Sequence, residues 1–366
     1  MWNPTTKLVG LSTRQIAELP VLKGEPPFRA RQLSSWVYAR GASTFAGMTD
    51  LSRALRERLG RSCSLELPEV LARDRSRDGT TEKFLLRLDD ASQIESVLIR
   101  SRQRLTVCIS TQVGCAFGCR FCATGAMKLT RNLTAHEIVS QLMVVRRALG
   151  DQSPSGQFNL VFMGMGEPLA NFEALVQALG VLNEDHGLAV GRRRMTVSTV
   201  GLAPEIRRLS TVPVAGRLAL SLNATTDEVR SRLMPINRTY PIGRVLPEVK
   251  RYREKTGQRT TLEYVLIRGF NDSIEDARRL ARYGREFDCT LNLIVLNPHS
   301  LTQLRPSPPE VVRRFHDALL PIAPAVTLRE SRGEDIRAAC GQLSTVYSEK
   351  AHTVKPAERS RRASKN

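Results

Sequence analysis

Cys115, Cys119 and Cys122 stand in the run Gly114-Cys115-Ala116-Phe117-Gly118-Cys119-Arg120-Phe121-Cys122, a CxxxCxxC pattern. Three thiolates this close can hold three irons of a [4Fe–4S] cluster, leaving the fourth iron without a protein ligand. An open iron can take a substrate, just as catalytic zinc sites keep one position free. A structural zinc would need four ligands, and the next Cys or His downstream, His136, lies outside the usual spacing. The spacing, the aromatic Phe121 and the strand that leads into the loop favour the cluster over zinc or a plain thiol loop. The chain has seven cysteines, the others being Cys63, Cys108, Cys289 and Cys340. An odd count without a secretory signal argues against a disulfide framework. Cys63 and Cys289 read as small buried hydrophobes.

The loop needs a scaffold, and alternating patterns supply one. Strand candidates rich in Val, Ile, Leu and Thr span Arg104–Ser110, Phe158–Met163, Met195–Thr199, Arg217–Leu222, Thr260–Ile267, Leu291–Leu296 and Val326–Arg329. Amphipathic segments lie between them. The first opens on a capping box, Thr134 with Glu137, followed by Ile138, Leu142, Val145 and Leu149 at helical spacing. Repeated strand–helix alternation implies a parallel sheet, in an α/β fold closed or partly closed as a (β/α) barrel, with a doubly wound sheet as the competing arrangement. On a barrel, reactive groups gather at the C-terminal ends of the strands. The cysteine cluster follows the first strand, Gly164-Met165-Gly166-Glu167-Pro168 the second, Ser198-Thr199 the third, Ser221-Leu222-Asn223 the fourth and Asn297-Pro298 the sixth. The glycines of the second loop let backbone approach a ligand without a Cβ in the way. Upstream, Thr13–Leu19, Phe28–Arg40 and Asp50–Leu59 read as short helices, and Glu82–Leu88 and Ile94–Arg100 as strands. The expected organisation is a helical accessory domain over 1–70, a β extension over 71–103, the barrel over 104–345 and a disordered basic tail over 346–366.

Charge is the other deviation from an ordinary globular chain. The 366 residues carry 55 Lys and Arg against 36 Asp and Glu, a net charge of +19. Residues 349–366 and residues 1–70 contribute only +4 each, so most of the excess sits on the central domain. A field of this sign attracts polyanions, nucleic acid foremost. No apolar stretch approaches the length of a membrane span. The start, MWNPTTKLVGLSTRQ, does not read as a secretory signal, so a cytoplasmic protein is expected.

The cysteine run matches the signature of the radical S-adenosylmethionine (SAM) superfamily. The segments CISTQVGCAFGCRFCATG, RNLTAHEIV, FMGMGEPLANF, TVSTVG, LALSLNATTDEVRSRLMPINR, LNLIVLNP and RGEDIRAACGQL resemble the RlmN family of RNA adenine C2-methyltransferases. The N-terminal PFRARQLSSWVYARGASTFAGMTDLSRALRERL is also similar to that family. The resemblance implies a partial (β/α) barrel of the radical SAM type, with a small N-terminal helical domain and β extension. It implies a [4Fe–4S] cluster on Cys115, Cys119 and Cys122, and two SAM molecules per turnover. SAM contacts carry over to Gly166, Glu167, Ser198, Ser221, Leu222, Asn223 and Asn297. Cys340 matches the cysteine that becomes S-methylcysteine, and Cys108 its resolving partner in a transient disulfide. Glu95, which on its own reads as an exposed strand carboxylate, matches the proton acceptor, although Cys108 could also take that proton.

The substrates implied are an adenosine of 23S rRNA at the peptidyl-transferase centre and the adenosine 3′ of the anticodon in tRNAs. A one-electron donor such as flavodoxin and a monomeric enzyme are expected. The N-terminal domain, with Arg29, Arg31, Arg40 and Trp36, is the candidate RNA-docking surface, though Trp36 could equally pack that domain's core. Two alternatives stand beside this reading: Cfr-type methylation of adenine C8, and a non-catalytic iron–sulfur or zinc RNA-binding protein. Arg268 and Arg337 depart from residues that are commonly smaller or acidic in the family.

Overall fold

A computed structural model describes residues 5–101, 104–150 and 158–345; the tail expected to be disordered, 346–366, lies outside them. The N-terminal part runs β1 (Thr6–Lys7), α1 (Thr13–Ala17), α2 (Phe28–Ser34), α3 (Arg53–Ser62) and β2 (Cys63–Ser64), the two short strands pairing in parallel. The helix expected to run on to Arg40 ends at Ser34 and continues as a π turn over Ser35–Ala39. The helix expected from Asp50 begins at Arg53, because the Ser52 side chain accepts from the Leu55 N–H and caps it. Trp36 is half-buried against the core, and its indole N–H donates to Asp50. The Arg40 guanidinium lies 4.1 Å from the centre of its ring.

Three antiparallel strands follow, β3 (Glu69–Arg75), β4 (Thr81–Arg87) and β5 (Gln93–Ser101). Strand β3, EVLARDR, escapes sequence reading because it is a largely exposed edge without alternation. Then come β6 (Arg104–Cys108), β7 (Gln112–Val113), α4 (Ala123–Ala126), β8 (Arg131–Asn132), α5 (Ala135–Leu149) and β9 (Phe158–Phe162). The rest of the chain is α6 (Phe172–Asn183), β10 (Met195–Thr199), α7 (Ala203–Leu209), β11 (Arg217–Ser221), α8 (Asp227–Leu233), α9 (Ile242–Thr256), β12 (Thr260–Leu266), α10 (Ile274–Glu286), β13 (Thr290–Val295), α11 (Pro309–Leu319) and β14 (Val326–Arg329).

One ten-stranded sheet carries the order β14-β13-β12-β11-β10-β9-β6-β5-β4-β3. From β6 through β14 its neighbours are parallel and in chain order, so the winding never reverses. A doubly wound sheet requires a reversal, and its absence decides for the barrel. The barrel is partial, because β14 and β6 do not pair with each other. Strand side chains such as Leu160, Phe162, Val197, Leu220, Leu262 and Leu293 have no exposure, each burial being worth about 1.5–3 kcal/mol. The expected capping box of α5 is present, and its apolar face is buried. The N-terminal helices dock on this side of the barrel. Arg146 donates to the carbonyls of Tyr38 and Ala39, and Glu184 accepts from the Thr13 N–H.

Candidate functional site

The cysteine loop is an excursion of residues 114–130, closed at its base where β7 pairs with β8. Gly114 makes the closure possible: its φ is +77°, and a Cβ there would lie 1.8 Å from the Lys128 carbonyl oxygen. The Cys115 N–H donates to that carbonyl and the Cys122 N–H to the Cys119 carbonyl. The three thiols line one open cavity at the C-terminal mouth of the barrel. Burial pushes all three up, Cys115 to about 12, and repulsion adds to it, from neighbouring loop thiols at Cys115 and Cys119 and from Cys340 at Cys122. They therefore ionise only when a cation draws the protons off.

Among the described residues no three Cys, His, Asp or Glu side chains are placed around a single metal ion. A cubane hands each thiolate its own iron and so asks for wider spacing. Three thiols from one loop around one open cavity are a donor set that fits a [4Fe–4S] cluster. The fourth position would then face the cavity.

The opposite wall is the loop after β9. Gly164 and Gly166 press against the chain leaving β6: a Cβ on Gly164 would lie 2.6 Å from Ser110 Oγ, and one on Gly166, where φ is +97°, 2.4 Å from Gln112 Cβ. Gln112 accepts from the Glu167 N–H at 2.8 Å. The buried Glu167 carboxylate accepts from the backbone of Leu169 and Val200. Burial raises its pKa to about 7 despite these bonds. Ser198, Ser221, Asn223 and Asn297 line the same cavity, together with Cys340. Leu222 does not; its side chain is fully buried in the core. Asn297 is engaged within the protein, donating to the Cys340 carbonyl at 3.0 Å and accepting from Ser331 Oγ.

Cys340 sits in residues 339–344, which fill the gap between the first and last barrel strands. The Gly341 carbonyl accepts from the Ala123 N–H, the Leu343 carbonyl from Thr124 Oγ1, and the Ser344 N–H donates to Glu95. Cys340 and Cys108 line a second, smaller cavity beside the first, along with Arg329 at the end of β14. Burial, and next to it the charge of Cys340, pushes the Cys108 thiol up to about 12. All seven cysteines are free.

Glu95 corrects the exposed-carboxylate expectation: it is 1% exposed, 3.0 Å from Lys83 Nζ and 2.8 Å from the Ser344 N–H. It lines neither cavity but shares the face of β5 with Val97, which pairs with Cys108. Lys83 belongs to a strand that was predicted without any site residue on it. Arg329 and Glu263, also in the first cavity, carry no local motif; only strand register reveals them. Arg337, in the left-handed region at φ 54°, lines a side cleft with His299 and Gln342.

This geometry belongs to the radical SAM class, and residues 109–281 match the Radical SAM superfamily. Residues 6–65 match the ribosomal RNA large subunit methyltransferase N-terminal domain. The chain is 46% identical over 334 residues to the dual-specificity RNA methyltransferase RlmN of Geobacter sulfurreducens, covering 91% of each chain. It is 44% identical over 348 residues to that of Rhodospirillum rubrum, covering 93% of this chain and 81% of the relative. A radical SAM methyltransferase of known structure from Sphaerobacter thermophilus superposes with a TM-score of 0.87 at 43% identity, over 93% of this chain and 99% of that one. The chain belongs to the RlmN family of radical SAM RNA methyltransferases.

Proposed function

We propose that this enzyme methylates C2 of adenosine in 23S rRNA and at the position 3′ of the anticodon in tRNA, using two SAM molecules per turnover. The observation that carries the reading is the meeting of three loop thiols, the Gly-Met-Gly-Glu loop and Cys340 around one cavity, with Cys108 beside Cys340 in the next. Adenine C2 lies between two ring nitrogens and is too electron-poor to displace a methyl group from a sulfonium.

Cys340 first takes a methyl group by direct displacement, its sulfur forming the new S–C bond as S-adenosylhomocysteine leaves. Cys115, Cys119 and Cys122 would hold a [4Fe–4S] cluster, which when bound would supply the one electron that makes a 5′-deoxyadenosyl radical available from a second SAM. The S-methyl group of Cys340 loses a hydrogen atom to that radical, giving 5′-deoxyadenosine, and its carbon bonds to C2. The radical adduct then gives up the C2 proton and one electron, for which the oxidised cluster would be the acceptor. Cys108 retains its own proton at neutral pH, which favours Glu95 as the acceptor. The Cys108 sulfur then attacks that of Cys340: an S–S bond forms, the S–C bond breaks, and the thiol hydrogen completes the new methyl group. An external reductant must restore both thiols.

Gly166 and Glu167 hold the SAM amino-acid end, and Ser198, Ser221, Asn223 and Asn297 complete the cradle. Residues 1–70 form an accessory domain that docks RNA, with Arg31 and Arg40 at its surface. A cytoplasmic, monomeric enzyme with a flavodoxin-type donor completes the reading; no helix among the described residues is long and apolar enough to cross a membrane. Mass spectrometry of digested RNA after anaerobic turnover tests it. The expected product is 2-methyladenosine; 8-methyladenosine would move the enzyme to the Cfr type, and RNA binding without 5′-deoxyadenosine would remove it from catalysis.

A further inference from the structure

Arg230, on α8, is among the largest side chains of the protein with no exposure to solvent. Its Nε donates to the Leu222 carbonyl at 3.0 Å. Nη1 donates to Asn237 Oδ1 at 2.8 Å and to the Tyr240 carbonyl at 3.3 Å. Nη2 donates to the Val200 carbonyl at 2.7 Å and the Ser221 carbonyl at 3.3 Å. All five acceptors are neutral oxygens, and no carboxylate among the described residues pairs with the guanidinium. Asp227 exerts the nearest carboxylate charge, but its Oδ1 accepts from the Ile242 N–H. Burying a cation without a counter-ion is costly, so such a group is expected to have an anionic partner.

The anion lies on the cysteine side. Leu233 and Met234, one turn beyond Arg230, pack against Cys119, and the Leu233 carbonyl accepts from the Arg120 N–H. Val200, whose carbonyl accepts from Nη2, packs against the same group of side chains as Cys119, which sets the guanidinium behind the cysteine loop. Three thiolates around a [4Fe–4S] cluster leave a net negative charge, which grows by one on reduction.

We propose that Arg230 is a positioning residue whose charge is balanced by the thiolate-held cluster and favours the cluster's reduced state. The same guanidinium ties the chain leaving β10 and β11, where Ser198 and Ser221 face the cavity, to the wall behind Cys119. This rests on the reading of Cys115, Cys119 and Cys122 as cluster ligands. The test is a redox titration, followed by electron paramagnetic resonance, of anaerobically reconstituted full-length protein, with iron and sulfide counted per chain.

Arg230→Gln should lower the midpoint so that, at a fixed potential, the ratio of reduced to oxidised cluster falls about tenfold, or 59 mV for a one-electron couple. Arg230→Lys keeps the charge without the five-point grip; its midpoint should stay at the wild-type value while 5′-deoxyadenosine formation slows. Failure of Arg230→Gln alone to retain iron and sulfide also supports the proposal. A wild-type midpoint in Arg230→Gln, an equal shift in both variants, or loss of cluster from both overturns it. If the wild-type protein itself takes up no iron and sulfide, the cluster reading fails instead.

Discussion

Gly166→Ala tests how the SAM loop is held. At this residue φ is +97°, which an L side chain rarely adopts, and an added Cβ would lie 2.4 Å from Gln112 Cβ and 2.8 Å from its backbone N. Two costs follow: about 1–2 kcal/mol for the backbone conformation and about 1–3 kcal/mol for overpacking a filled site. Neither neighbour is the free end of a flexible chain, because Gln112 is 1% exposed and its Nε2 donates to Asn132. The sum, about 2–5 kcal/mol, corresponds to a fall in Tm of roughly 3–7 °C at the unfolding entropy of a chain of this size.

The functional loss should exceed the loss of stability. Gln112 is the acceptor for the Glu167 N–H, so moving it shifts the loop proposed to cradle SAM. A displacement of about 1 Å in a positioning group can cost on the order of a hundredfold in rate. Because Gln112 belongs to β7, which closes the base of the cysteine loop, turnover is expressed per cluster, from iron and sulfide counted per chain. The assay is a thermal melt of the apoprotein beside anaerobic 5′-deoxyadenosine formation by the reconstituted enzyme. Gly191→Ala, with negative φ and nothing within 4 Å of the new Cβ, is the control and should melt like the parent. If Gly166→Ala melts within about 1 °C of the parent and turns over at its rate, the clamp does not exist.

Burial raises Glu167 to about 7, so its neutral form stabilises the fold at low pH, and that stability is lost as pH rises through 7. In the proposed site an ammonium needs the ionised form, so calorimetry should show SAM affinity rising about fivefold between about pH 6 and 7.5, before the α-amino group of SAM itself loses its proton near about 8, with Glu167→Gln flattening the rise. Cys340→Ala should leave no S-methylcysteine in a peptide digest and no methylated RNA. Cys108→Ala should still bond carbon to RNA yet fail to release it, giving an RNA-linked chain on a denaturing gel; free product at the wild-type rate would remove Cys108 from the release step. At the opposite end of the barrel, burial and the charges of Arg259, Arg104 and Arg193 work against protonated Arg217. Arg217→Gln should raise Tm by on the order of 1 °C at low ionic strength, and the gain should vanish near 0.5 M salt, where the Debye length is only about 4 Å.

Local chemistry made much of this protein legible from its residues. The CxxxCxxC run declares its donor set through spacing alone. The seven barrel strands lie within two residues of their predicted ends, because buried parallel strands must be continuous apolar runs. Thr134 and Glu137 announce the start of α5 because a capping box is a contact between near neighbours. What depended on distant pairing was not legible. Strand β3 is a polar edge, and Glu95 is buried only because β4 brings Lys83 beside it and residue 344 returns to it from across the open seam. The meeting of Cys108 with Cys340 depends on which strands are first and last in an incomplete barrel, and so does the position of Arg329 between them. Arg230 shows the difference most plainly: its sequence neighbourhood is an ordinary helix, and only packing removes it from water beside a cysteine loop far away in the chain. Sequence fixes which groups are present and the period of their local structure; register and closure of the sheet decide which of them share a cavity, because those contacts form only when the whole sheet does.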